Sequence, residues 1–175
     1  MITIVKSNFN QKVVDGLLDG CIIALKEYGI NNINIIEVPG AFEIPYSVKN
    51  ILSNDKNSTQ AIITLGCVIK GETDHYSFIS QTVTNSIMDL TLTSKIPILF
   101  GVLTCQNTQL AIDRSGSDKK KNYSNKDNGN MKVAKIDKKT TLAEHFGKGG
   151  KIYSGKAKDY PGTTGIIIVF CKLFA

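Results

Sequence analysis

Residues 2–5 (ITIV) are apolar in succession and stop at the polar run Ser7-Asn8-Phe9-Asn10. That pattern predicts a short strand, with Asn8 or Asn10 placed to cap the element after it. Val14, Leu17, Leu18, Cys21, Ile22 and Leu25 then recur at helical spacing, and Gly29 supplies a stop. Residues 33–38 (INIIEV) return to strand character and break at Pro39-Gly40. Ile44, Val48, Ile51 and Leu52 mark a second helix, in which Pro45 is tolerated because it falls in the first turn. Residues 61–69 (AIITLGCVI) are apolar nearly throughout, the mark of a strand buried on both faces. A third helix carries Ile79, Val83, Ile87 and Leu90, residues 96–104 (IPILFGVLT) give a fourth strand, and 107–113 (NTQLAID) begin a fourth helix.

Strands alternating with helices imply β-α-β units, hence an α/β fold with a parallel sheet covered on both faces. In such sheets ligands gather beyond the carboxyl ends of the strands. Four segments converge there: Phe9 and Asn10 after the first strand, Gly40 to Glu43 after the second, Lys70 to His75 after the third, and Phe100 to Cys105 toward the end of the fourth. Each contains a residue able to do chemistry or recognition.

A hydrophobic share of 42% is enough for a true core. No apolar run is long enough to span a bilayer, and the N-terminus lacks the basic and apolar stretches of a signal peptide, so neither a membrane nor export is expected. The net charge of +6 is unevenly placed. Residues 1–117 hold eight Lys and Arg against ten Asp and Glu, whereas residues 118–175 hold thirteen against five. The chain therefore reads as an α/β domain over 1–117 followed by an atypical basic, Lys/Asn/Gly-rich segment over 118–175, where 165–170 (GIIIVF) look like a further strand. With no basic stripe in the front part, nucleic acid is not an expected partner. Cys21, Cys67, Cys105 and Cys171 form no C-x-x-C pair; they read as small buried thiols in a reducing compartment and not as metal ligands.

Several positions carry candidate chemistry, each beside a plainer reading. The loop Lys70-Gly71-Glu72-Thr73-Asp74-His75 precedes a helix, whose free N–H groups and dipole suit an anion; it also fits an ordinary capped helix start. His75, one of two histidines, is either a general acid or base near neutral pH or a surface residue. Glu43 either accepts hydrogen bonds from substrate hydroxyls or serves as a carboxylate at a helix start. Phe9 either stacks on a planar ring or packs against the next helix, and Phe100 sits in an apolar strand where a core role is the plain reading. Arg114 is the sole arginine among twenty lysines, and its planar fork suits phosphate.

Taken together, SNFN at 7–10, VPGAFEIP at 38–45, LGCVIKGETDHY at 65–76, PILFGVLT at 97–104 and QLAIDRSG at 109–116 resemble the lumazine synthases of riboflavin biosynthesis, in family order and at family-like spacing. The resemblance covers roughly residues 2–117. It implies a flavodoxin-like three-layer sandwich around a central parallel sheet. It implies a cytoplasmic transferase that joins 5-amino-6-(D-ribitylamino)uracil to 3,4-dihydroxy-2-butanone 4-phosphate, releasing phosphate and water, with no metal or organic cofactor. Phe9 would stack on the pyrimidine, Ala41, Phe42 and Glu43 would bind it with Glu43 toward the ribityl hydroxyls, and Cys67, Val68 and Ile69 would line the same pocket with backbone groups. Phe100 would close the pyrimidine site. Glu72, Thr73 and Arg114 would hold the phosphate, and His75 would transfer the proton. The partners implied are these small-molecule substrates, riboflavin synthase as the next enzyme of the pathway, and further copies of the chain in a pentamer or a larger shell, with Phe100 and Arg114 reaching across from the adjacent subunit.

The ends depart from the family pattern. The family has an Asn-Lys-Gly-like stretch after the last motif and then a long amphipathic helix. Here Lys126, in SNKDNG at 124–129, stands in for that lysine a few residues late, and no helix of that kind follows. A rival reading follows from this tail: an assembly or ligand-binding protein that keeps the pocket but has lost catalysis.

Overall fold

The computed structural model describes residues 1–54, 58–116, 132–136 and 166–170. Strands β1 (Ile2–Ser7), β2 (Ile33–Val38), β3 (Ala61–Ile69) and β4 (Ile98–Cys105) alternate with helices α1 (Gln11–Glu27), α2 (Ile44–Asn54), α3 (His75–Thr93) and α4 (Thr108–Ser115). A single 3-10 turn, Ala41–Glu43, leads into α2. The four strands form one parallel sheet in the order β2-β1-β3-β4. This is the flavodoxin-like arrangement, and its strand order reverses between β1 and β3.

The sheet divides two hydrophobic clusters. Ile2, Ile4, Leu65 and Cys67 face α1, where Val14, Leu17, Cys21 and Leu25 meet them, and Ala111 of α4 joins the same cluster. Val5, Ile62, Val68 and Val102 face the other way, onto Ile44 and Val48 of α2 and Val83 and Ile87 of α3. Eight of the nine β3 residues are buried, as a strand covered on both faces requires. Thr64 in its middle satisfies its hydroxyl on the Leu99 carbonyl at 3.0 Å.

Local chemistry sets the ends of the elements. Gly29 adopts φ +75° after α1. Its N–H reaches the Lys26 carbonyl at 2.9 Å and that of Ile30 reaches Leu25 at 3.0 Å, so the paired C-terminal bonds of a Schellman motif close the helix. Pro45 lies in the first turn of α2, where its missing N–H costs nothing. β4 starts at Ile98, two positions later than the apolar run suggests, because Pro97 has no N–H for the ladder. Asn107 caps α4 by accepting the Leu110 N–H at 2.9 Å.

The expected side-chain cap of α1 is corrected. Asn10 holds the cap position but makes no side-chain cap bond, and Asn8 instead donates to Glu37 at 3.2 Å. Asn10 takes the left-handed conformation, φ 58° and ψ 43°, which asparagine tolerates better than most residues. Its amide is thereby turned away from the helix.

In the basic segment, β6 (Ile166–Phe170) matches the strand expected there. β5 (Lys132–Ile136), which the sequence pattern missed, pairs with it antiparallel, Lys132 opposite Phe170.

Candidate active site at the strand carboxyl ends

The carboxyl ends of β1, β2 and β3 open onto one cavity of about 570 Å³. Three turns wall it. The first is Phe9-Asn10 after β1, the second Gly40 to Glu43 after β2, and the third runs from Cys67 at the end of β3 into the first turns of α3. The position follows from topology, since β1 and β3 flank the point where the strand order reverses. A bond across that point ties its two sides: Asn10 Nδ2 donates to the Cys67 carbonyl oxygen at 2.9 Å.

Backbone bonds fix the first two turns against each other. Asn8 and Phe9 donate their N–H groups to the carbonyls of Val38 and Pro39 at 2.8 and 2.9 Å. They leave the Phe9 ring 70% exposed at the cavity, and Phe42 faces it with its ring 58% exposed. Large apolar rings held open to solvent beside a cavity are suited to sandwiching a flat heterocycle.

The two readings of Glu43 turn out to be compatible. Its Oε2 accepts the Gly40 N–H at 2.8 Å, the glutamate half of a capping box, at the start of the 3-10 turn. That contact leaves the other carboxylate oxygen without a protein partner among the described residues, on a half-buried side chain that lines the cavity. A side chain at position 40 would bring its Cβ to 3.0 Å from Oε2, so the carboxylate would have to shift by a few tenths of an ångström. Deeper in, Gly66 lets Ile44 seat on the sheet, because a Cβ there would lie 3.0 Å from the Ile44 Cδ1.

At the far rim, Lys70 N–H bonds to the Cys105 carbonyl at 2.9 Å and so fixes where the loop leaves the sheet. The loop itself is exposed. Asp74 holds the cap position of α3 without a side-chain cap bond, and its carbonyl accepts the Ser77 N–H at 3.0 Å. Gly71, Thr73 and His75 line the cavity, so the first turn of α3, with its dipole, opens onto the same space as the histidine. Burial pushes the Cys67 thiol up to about 12, with Cys105 adding to the effect, so Cys67 stays a neutral wall at working pH. Cys105 is raised for the same first reason, burial.

Nine of the sequence candidates therefore share one cavity: Phe9, Ala41, Phe42, Glu43, Cys67, Val68, Ile69, Thr73 and His75. Glu72 sits between two lining residues in the exposed loop but does not itself line the cavity. Phe100 packs against the cluster beneath α2 and α3. Arg114 lies in α4, on the α1 side of the sheet, and donates from Nη1 to the Leu110 carbonyl at 3.1 Å. Neither lines this cavity. Lys126 lies outside the described residues.

The sequence reading assigned no site role to Tyr76, Phe78, Ile79 and Thr82 of α3, which complete the wall. Phe78, Ile79 and Thr82 follow His75 by three, four and seven residues, the helical spacing that reaches them, whereas Tyr76 at the next position lacks that signal. The Asn10 bridge to β3 had no such signal. Among the described residues no cluster of His, Cys, Asp and Glu could hold a metal ion, and no helix is long and apolar enough to cross a membrane.

Comparison with known proteins agrees with this arrangement. The family model for 6,7-dimethyl-8-ribityllumazine synthase matches residues 1–135. Curated relatives carry that same name. The one from Limosilactobacillus reuteri is 45% identical over 115 residues, covering 66% of this chain and 74% of its own length. That from Leuconostoc mesenteroides is 45% identical over 118 residues, with the same two shares. That from Pseudarthrobacter chlorophenolicus is 36% identical over 115 residues, 66% of this chain and 69% of its own length.

Proposed function

We infer the function from the premise that the chain belongs to the 6,7-dimethyl-8-ribityllumazine synthase family. It is a transferase of riboflavin biosynthesis. It condenses 5-amino-6-(D-ribitylamino)uracil with 3,4-dihydroxy-2-butanone 4-phosphate to 6,7-dimethyl-8-ribityllumazine, with loss of phosphate and water. The observation that carries this reading at the level of residues is the single cavity shared by the motifs of β1, β2 and β3.

The roles of the residues follow from what each offers. The Phe9 and Phe42 rings hold the pyrimidine, and the backbone of Val68 and Ile69 addresses its polar edge. Glu43, anchored through one oxygen on Gly40, offers the other to the ribityl hydroxyls. The Glu72-Thr73 backbone and the Thr73 hydroxyl take the phosphate at the start of α3. Amine attack on the ketone gives an imine and releases one water, phosphate then departs by elimination to leave an enol that becomes a ketone, and ring closure of the ribitylamino nitrogen onto that carbonyl expels a second water. Each step moves a proton, and the imidazole of His75 on the cavity wall can both donate and accept one. Holding two substrates in register accounts for much of the acceleration.

The chain acts as a homo-oligomer, a pentamer in the simplest case. Phe78, Met88 and Leu92 of α3 are 68%, 56% and 76% exposed. Their spacing of ten and four residues places them on one side of the helix, opposite the buried Val83 and Ile87. A neighbour covering that side accounts for the exposure. Phe100 and Arg114, away from their own cavity, then serve the site of the adjacent subunit. The buried Cys21, Cys67 and Cys105 fit a reducing, cytoplasmic setting.

The test is lumazine formation from the two substrates by purified protein, with particle size measured on the same sample. Product is expected from an assembled species, and His75→Ala lowers kcat by about 10²- to 10⁴-fold. An assembled wild-type protein that forms no lumazine would refute the assignment.

A further inference from the structure

Positions 2 and 4 of β1 face the α1 cluster with isoleucine, and the next inward position is a lysine. Lys6 is buried, its side chain only 6% exposed, although lysine is almost never enclosed unless paired. Its ammonium donates to Asp15 of α1 at 2.8 Å and lies 3.4 Å from Glu37 of β2. Glu37 is also the register partner of Lys6 across the sheet. The other Glu37 oxygen accepts Asn8 Nδ2 at 3.2 Å. Burial works against the charge, but the two carboxylates outweigh it and raise the Lys6 pKa above its ordinary value. One ammonium thus joins β1, β2 and α1 directly behind the turn that carries Phe9 and Asn10.

Nothing in the packing demands a cation there. An apolar chain of similar length would fill the space, and Asp15 and Glu37, 44% and 56% exposed, would stay solvated without it. What the cation adds is a fixed relation between the end of β1, the end of β2 and the start of α1. These are the elements that the Asn8 and Phe9 backbone bonds and the Asn10–Cys67 bond must keep in register.

Resting on the function proposed above, we propose that Lys6, through Asp15 and the Glu37–Asn8 link, is a positioning residue that holds Phe9 over the cavity and so sets affinity for the pyrimidine substrate alone. It touches neither substrate. Among the described residues, none of Lys6, Asp15 and Glu37 bonds to the loop between β3 and α3, where the phosphate is proposed to bind.

Lys6→Met, Lys6→Arg and Asn8→Ala test this in the full-length assembled protein. KM is measured separately for the two substrates, and a 4-fluorophenylalanine at position 9 reports ring mobility by fluorine NMR. Lys6→Met is expected to raise KM for the ribitylaminouracil about tenfold, leave KM for the butanone phosphate unchanged, and narrow the fluorine line. Lys6→Arg restores most of the affinity, and Asn8→Ala gives a smaller rise that does not add to that of Lys6→Met. Equal changes in both KM values, no change in either, or an unaltered fluorine line would overturn the proposal. Should the wild type form no lumazine, the functional assignment fails, and the fluorine line still decides whether Lys6 orders the turn.

Discussion

Helices α1 and α3 are nearly the same length, 17 and 19 residues, yet they place their apolar side chains in opposite ways. α1 buries Val13, Val14, Leu17, Cys21, Ala24 and Leu25 against the sheet. α3 buries Val83 and Ile87 and leaves Phe78, Met88 and Leu92 in solvent. The first is held by its own chain. The second turns three large apolar side chains outward among polar residues such as Gln81 and Asn85, while its first turns wall the cavity. Exposed large apolar side chains gathered on one side of a helix suit a contact surface, which is the basis of the proposal that other copies of the chain cover α3.

The contrast can be broken first by truncating the same kind of side chain on both helices. Leu25→Ala, at a fully buried position, is expected to lower the free energy of unfolding by about 2–5 kcal/mol without changing particle size. Leu92→Asp should leave the fold of each chain nearly untouched and shift sedimentation toward smaller species. Denaturant titration and sedimentation velocity on both variants check this. A large loss of stability for Leu92→Asp with intact assembly would erase the distinction.

A smaller effect sharpens it from beneath the cavity. Gly66→Ala places a methyl group 3.0 Å from Ile44 Cδ1, with Ser7 Oγ and Val102 Cγ1 at 3.3 and 3.4 Å, so the buried Ile44 side chain must shift. About 1–3 kcal/mol of stability should be lost, and because Ile44 follows Glu43 directly, affinity for the ribityl-bearing substrate should fall with it. Chemical denaturation beside a KM measurement reads both. Unaltered stability would show that the contact yields more easily than its geometry implies.

What the sequence discloses follows the range of the forces involved. β3 and α1 were legible because burial imposes periodicity on neighbouring residues, and the Schellman stop at Gly29 is a local event. The cavity was legible because three turns carry distinctive residues and the sheet topology gathers them. The Asn10–Cys67 bond was not, since it depends on the register of β1 against β3, residues 57 apart. Lys6 was equally silent: a lone lysine in an apolar strand becomes informative only once Asp15 and Glu37 are seen around it. β5 was missed because its alternation lies in a lysine-rich stretch and its pairing partner begins beyond residue 160. Phe100 and Arg114 stand in legible motifs but lie away from the cavity of their own copy, and the proposal that they serve an adjacent one is beyond what a single sequence decides.

That last point admits a direct measurement. His75→Ala and Arg114→Ala, each expected to be strongly impaired alone, are co-expressed and purified as mixed assemblies, and lumazine formation is assayed. If each site draws His75 from one copy and Arg114 from the next, roughly a quarter of the sites regain both groups when copies mix at random around a ring. The expected result is activity near that fraction of the wild-type value. Activity no greater than the sum of the two separate variants, in assemblies shown to contain both chains, would contradict a site shared between subunits.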